Sequence, residues 1–276
     1  MSFNRSLWAA TGAQIGREAR ASMNAGDAWS TFWAPVINLA RDPRWGRNLE
    51  TPGEDPLVSS EYAVAFVRAF EHAPEDATHT MASACCKHYV ANEMEDTTEH
   101  GVRHWRDEFD AQITQQDLAD SYMVPFQACV QQGNVTGLMC SYNAVNGVPS
   151  CANKWLLDTV ARGEWGFDGY VTSDCDADAD VFYTHQFTKT PEEAVRAVLE
   201  AGTDVDCGGF VQKYAQVCFF ALDGLPAFFM RFCSYIVATF GMCVCAERAR
   251  QGSDHRVADR HASRAALLGA HASRPL

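Results

Sequence analysis

The stretch Gly169–Asp180, GYVTSDCDADAD, runs a short apolar segment straight into four aspartates within seven positions. Tyr170 to Ser173 reads as a buried strand, because the apolar run is continuous and not alternating. Asp174 then sits at the strand tip, where a carboxylate is costly unless it is paired or functional. As a calcium loop the cluster fails: the sixth position from Asp174 is Ala179 where glycine is needed, and the twelfth is His185 where glutamate is needed. Asp176, Asp178 and Asp180 are left as loop residues without an assigned role.

Working outward, the same unit recurs. A helix is expected over residues 3–24, with Leu7, Ile15, Ala19 and Met23 on one face. FWAPVIN (32–38) reads as a strand, and Asp55 with Pro56 opens a helix carrying Leu57, Tyr62, Phe66 and Phe70. MASACC (81–86) is a second strand, and Thr114 with Asp117 caps a helix running to about Gln132. GLMCSY (137–142) is a third strand, followed by a helix over 153–162. Thr190, Pro191, Glu192 and Glu193 start a helix that ends near Ala201, and residues 203–206 make a fifth strand. Alternating helices and continuous apolar strands predict an α/β fold with a parallel sheet. A doubly wound sheet and a (β/α)8 barrel both satisfy this pattern. The absence of a GxGxxG turn at a strand end argues against a dinucleotide site.

Reactive side chains gather where the strands end. Lys87 and His88 follow the second strand, Tyr142 ends the third, Asp174 follows the fourth and Asp206 ends the fifth; Arg41, Asp42, Arg44 and Arg47 follow the first. The C-terminal ends of parallel strands are where barrel enzymes build active sites. In RDPRWGRNLETPGEDP (41–56), Trp45 beside Arg47 offers an aromatic face and a bidentate donor, a combination that suits a sugar ring.

Composition narrows the classes. A net charge of -13 across 276 residues argues against nucleic acid as a partner. The charge is uneven: residues 217–276 hold seven arginines against four acidic residues, and no lysine. Their first half is apolar all round, but its uncharged run from Phe232 to Ala246 is too short for a membrane span. Eleven cysteines suit an oxidising compartment, whereas MSFNRSLWAATGAQ has no signal-peptide pattern. With no CxxC pair, a structural metal is not expected. Proximity of loop ends suggests the pairs Cys140–Cys151 and Cys175–Cys207.

RDPRWGRNLETPGEDP, ACCKHY, MCSYNAVNGVPSC, GYVTSDCDA, YTHQFTKTPEEAV and AGTDVDCGGF together resemble the N-terminal domain of family 3 glycoside hydrolases, on the β-xylosidase branch. The resemblance covers about residues 3–216. It implies an incomplete TIM-like (β/α)8 barrel lacking its first strand, with residues 217–276 as a non-family tail of mis-spliced or frame-shifted origin. It implies a retaining hydrolase of β-linked xylo- or gluco-oligosaccharides, needing no cofactor and belonging to a family that is usually secreted. Asp174 matches the nucleophile. Lys87, His88 and Arg47 match sugar-binding residues, Arg106 aligns with another, and Tyr142 matches the tyrosine flanking the nucleophile. The family's general acid, a glutamate of a second domain, has no counterpart in this chain. A carbohydrate-binding or inactive fragment is therefore the alternative expectation.

Overall fold

The computed structural model describes residues 3–74, 76–99 and 101–218. The centre is a four-stranded parallel sheet in the order β1 (Thr31–Phe32), β2 (Ser83–Tyr89), β3 (Gly137–Cys140) and β4 (Tyr170–Ser173). A single bridge between Thr172 and Val205 extends it by one more chain segment. The sheet curls into a half-barrel, so the fold is α/β and an incomplete TIM-like barrel.

The first helix, Arg5–Ala25, begins at Asn4, whose side chain accepts from the amides of Ser6 and Leu7. It packs on the helix Pro56–Glu71, which Asp55 caps by accepting from Val58 N at 2.8 Å. The two axes come close because Gly12 and Gly16 face the carbonyls of Phe66 and Phe70. A Cβ there would lie 2.6 and 2.4 Å from those oxygens. Glu71, fully buried at the end of its helix, then fastens the sheet. Its Oε1 accepts from Ala84 N (2.9 Å), Thr136 N (3.1 Å) and Thr136 Oγ1 (2.6 Å). One carboxylate oxygen thus ties the start of β2 to the start of β3, and the amide and hydroxyl donors offset its burial.

Four expectations shift. Residues 32–38 do not form one strand: pairing starts at Thr31–Phe32 and resumes as a bridge from Val36 to Lys87, because Pro35 has no amide to donate. Residues 203–206 contribute only the Val205 bridge. The second strand runs on to Tyr89, so Lys87 and His88 lie within it, where the register slips between Cys86 and Tyr89. The helix expected from Thr114 starts as predicted, with Asp117 N donating to Thr114 Oγ1, but widens over Leu118–Tyr122 before Val124–Gln131. A hairpin, Asp96–Glu99 with Val102–Trp105, was not anticipated.

Among the described residues, three disulfides join Cys86 to Cys129, Cys140 to Cys151 and Cys175 to Cys207. The last two are the pairs suggested by loop ends; the first ties β2 to the helix Val124–Gln131 and was not foreseen. Cys85 points to the opposite face of the strand and stays a buried thiol. Among the described residues no helix is long and apolar enough to cross a membrane. The last helix among the described residues, Phe210–Cys218, crosses the boundary expected at Gln216. The rest of the expected tail, residues 219–276, lies outside the described residues.

Candidate active site

Asp174 leaves the end of β4 with its amide donating to Cys140 O at 3.0 Å, which anchors it to β3. Its side chain is 12% exposed. Oδ1 accepts from the amide of Cys175 at 2.8 Å, whereas Oδ2 has no hydrogen-bond partner among the described residues. One oxygen is held and the other is left bare, 3.6 Å from Nε2 of His88.

The register slip in β2 brings Lys87 and His88 to this carboxylate. A bulge of this kind re-aims the side chains of a strand without ending it. His88 is 1% exposed, and burial first, then the charges of Arg47, Lys87 and Arg106, hold it well below the usual histidine value. The ring is therefore neutral at neutral pH. Lys87 is also lowered by burial and by Arg47, while Asp174 pulls it back up. Burial raises the Asp174 carboxyl; the Cys175 amide, Lys87, Arg106 and the Tyr142 hydroxyl oppose that rise.

Tyr142 lies just beyond β3 and is raised above the usual phenol range, by burial first and then by the charge of Asp174. Arg106 follows the hairpin; its guanidinium lies 4.7 Å from the centre of the Tyr142 ring and bonds Glu95 at 2.8 Å. Arg47 lies in the loop after the first strand and places Nε and Nη2 on Glu50, both at 2.7 Å. All six predicted side chains thus fall into one electrostatic neighbourhood at the C-terminal edge of the sheet. Arg47 differs from the expectation in one respect, since its bidentate edge is occupied by Glu50. Trp45 differs more: at 3% exposure it packs inside and presents no open face to a ring.

Three side chains were missed. Asn38 and Glu93 lie behind His88, with Asn38 Nδ2 donating to Glu93 Oε1 at 3.3 Å. Asp178 is fully buried, and burial followed by the charge of Asp206 pushes it up to about 8. Counted as carboxylates, both Asp178 oxygens and Oδ1 of Asp206 lack a donor. Burial and like charge raise both carboxyls of this pair, which favours a proton on it. Helical phase could have found Asp178. Asp178 faces inward from the helix Ala177–Tyr183, between Ala177 and Val181, which are also buried.

Residues 1–214 match the model of the glycosyl hydrolase family 3 N terminal domain. The chain is 47% identical over 235 residues to probable beta-D-xylosidase 6 of Arabidopsis thaliana, covering 78% of this chain and 29% of that protein. It is 47% identical over 216 residues to beta-D-xylosidase 1 of the same plant, with 78% and 27% covered. The structure superposes on the GH3 exo-beta-xylosidase XlnD, solved with a xylobiose aziridine activity based probe, with a TM-score of 0.74. Identity there is 38%, across 79% of this chain and 28% of that one. A beta-glucosidase from Listeria innocua gives a TM-score of 0.68 at 29% identity, with 79% and 29% covered. The chain spans less than a third of the length of these proteins. The matched domain and the parallel half-barrel agree in extent, and the chain belongs to glycosyl hydrolase family 3 through its N-terminal domain.

Proposed function

We propose that this chain forms the glycone-binding and nucleophile-bearing part of a retaining β-glycosidase. Its substrates would be β-linked oligosaccharides attacked from the non-reducing end, xylose-configured ones first. The observation that carries this reading is Asp174 itself: one oxygen is tethered to the Cys175 amide, the other is unpartnered, and Lys87 and Arg106 favour its ionised form. Oδ2 attacks the anomeric carbon as the bond to the leaving oxygen breaks, giving a glycosyl ester. Water then cleaves that ester and the carboxylate is regenerated. Positive charge on the ring develops against Asp174, while Lys87, His88 and Arg106 hold the hydroxyls. Names of the relatives support xylose, and Tyr142 and Arg47 would shape the same subsite.

No described residue is assigned as general acid. The aryloxide of an activated aryl xyloside departs without protonation, so formation of the glycosyl ester from it reports on Asp174, whereas departure of an alkoxide needs acid help worth roughly 10²–10⁴-fold. The test is incubation with a xylobiose-configured aziridine followed by peptide mass mapping, beside turnover of aryl xyloside and aryl glucoside. Label on the Asp174 peptide, lost in Asp174→Asn, is expected. Label elsewhere would refute the assignment. Xylose binding with neither label nor turnover would leave a carbohydrate-binding module.

A further inference from the structure

Asn38 is 1% exposed and makes four contacts in the wall behind His88. Its Oδ1 accepts from the His88 amide at 2.6 Å, and its Nδ2 donates to the His88 carbonyl at 3.0 Å. A backbone amide can only donate and a carbonyl can only accept, so these two contacts settle which end of the Asn38 amide is oxygen. Nδ2 also reaches Glu93 Oε1, which accepts in addition from Leu39 N at 3.2 Å and so holds the asparagine from behind. The atom that faces Nδ1 of His88, at 3.2 Å, is therefore the Asn38 oxygen.

We infer that Asn38 is a positioning residue that fixes His88 as the Nδ1–H tautomer, so that Nε2 presents a lone pair beside Asp174. In a neutral imidazole only one nitrogen carries the proton. With Nδ1 donating to Asn38, Nε2 and Asp174 Oδ2 face each other across 3.6 Å as two acceptors. His88 then does not bridge to the carboxylate, and Oδ2 is left without a stabilising donor from it. The gap calls for a hydroxyl group that donates to Nε2. On the sugar-binding reading above, on which this last point rests, His88 acts as acceptor for one glycone hydroxyl and not as donor. Arg47, Lys87 and Arg106 act on the ring from the surrounding segments and keep it neutral, so the lone pair persists.

The test is nitrogen-15 NMR of the full chain with labelled histidine, the His88 signals being assigned by their loss in His88→Gln. At neutral pH, Nδ1 is expected at a pyrrole-type shift and Nε2 at a pyridine-type shift. Asn38→Ala should move the two shifts toward each other as the tautomers exchange. If that variant does not fold, the unsubstituted chain alone decides. The reverse assignment, or two pyrrole-type shifts, would overturn the inference. Titrating D-xylose should then move Nε2 and leave Nδ1 in place. No response to xylose or D-glucose, with the tautomer as expected, keeps the role of Asn38 and removes the sugar-binding reading.

Discussion

Asp174 and Asp178 stand four residues apart in one acidic stretch and occupy opposite electrostatic settings. Asp174 lies at the tip of β4, with Lys87, Arg106, the Tyr142 hydroxyl and an amide opposing the burial that raises it. Asp178 lies in the helix that follows, buried with Asp206 beside it, so burial and like charge act together. An aspartate-rich sequence is therefore not one feature. Nearby cations favour the ionised form of the first, whereas burial and the charge of Asp206 favour the protonated form of the second.

Neutralising each aspartate in turn should separate the two settings most strongly. Asp174→Asn should lower turnover of an activated aryl xyloside by at least about 10³-fold while leaving the melting transition intact. Asp178→Asn should leave turnover within a small factor. Equal losses from the two would erase the distinction.

The next effect concerns the covalent tie at this corner of the sheet. The Cys175–Cys207 disulfide bonds the residue after Asp174 to the residue after Asp206. Replacing both cysteines by alanine should cost about 3 kcal/mol of stability, read as a lower denaturant midpoint under oxidising conditions. An unchanged midpoint would mean that the sheet and its helices hold this corner without it.

Lys87→Gln removes a cation that favours ionised Asp174, so the carboxyl, already raised by burial, should rise further. Attack needs the ionised form, and activity is lost as pH falls through this value. The acidic limb of the pH–rate profile should therefore shift to higher pH, with a fall in rate of about 10–10²-fold at neutral pH. A limb that stays in place would show that Lys87 does not govern Asp174.

The smallest effect sharpens the other side. Asp178 titrates at about 8 in the fold, above its ordinary value of 3.8. The folded protein keeps a proton that the unfolded chain releases, so this group's contribution is full below about pH 4 and is lost as pH rises toward 8. Asp178→Asn should flatten that dependence, with a higher melting temperature than the unsubstituted chain at pH 7.5 and little change at pH 4. Thermal melts at the two pH values compare them; a uniform loss at both would mean that the pair is stabilising as it stands.

Much of the site was legible because the strand ends are written locally. Continuous apolar runs marked β2, β3 and β4, and the polar residue at or near each end marked the pocket wall. Arg106 needed the family resemblance, since its hairpin carries no apolar pattern of its own. Asn38 escaped notice because it ends an apolar run whose strand is interrupted at Pro35, and its partners are 50 and 55 residues away. Trp45 was misjudged because a tryptophan beside an arginine looks the same in sequence whether its face is open or packed.

The alternation of helix and strand, the caps at Asp55, Thr114 and Thr190, and the placement of Lys87, His88, Tyr142 and Asp174 at or near strand ends were all written in the sequence. These follow from periodicity and backbone chemistry within a few residues. Only the tertiary structure decided which oxygen of Asp174 is bare, which edge of Arg47 is taken, which tautomer His88 adopts and which aspartate keeps a proton. Each depends on charges and donors contributed by distant segments, whose strength is set by how much water the fold excludes.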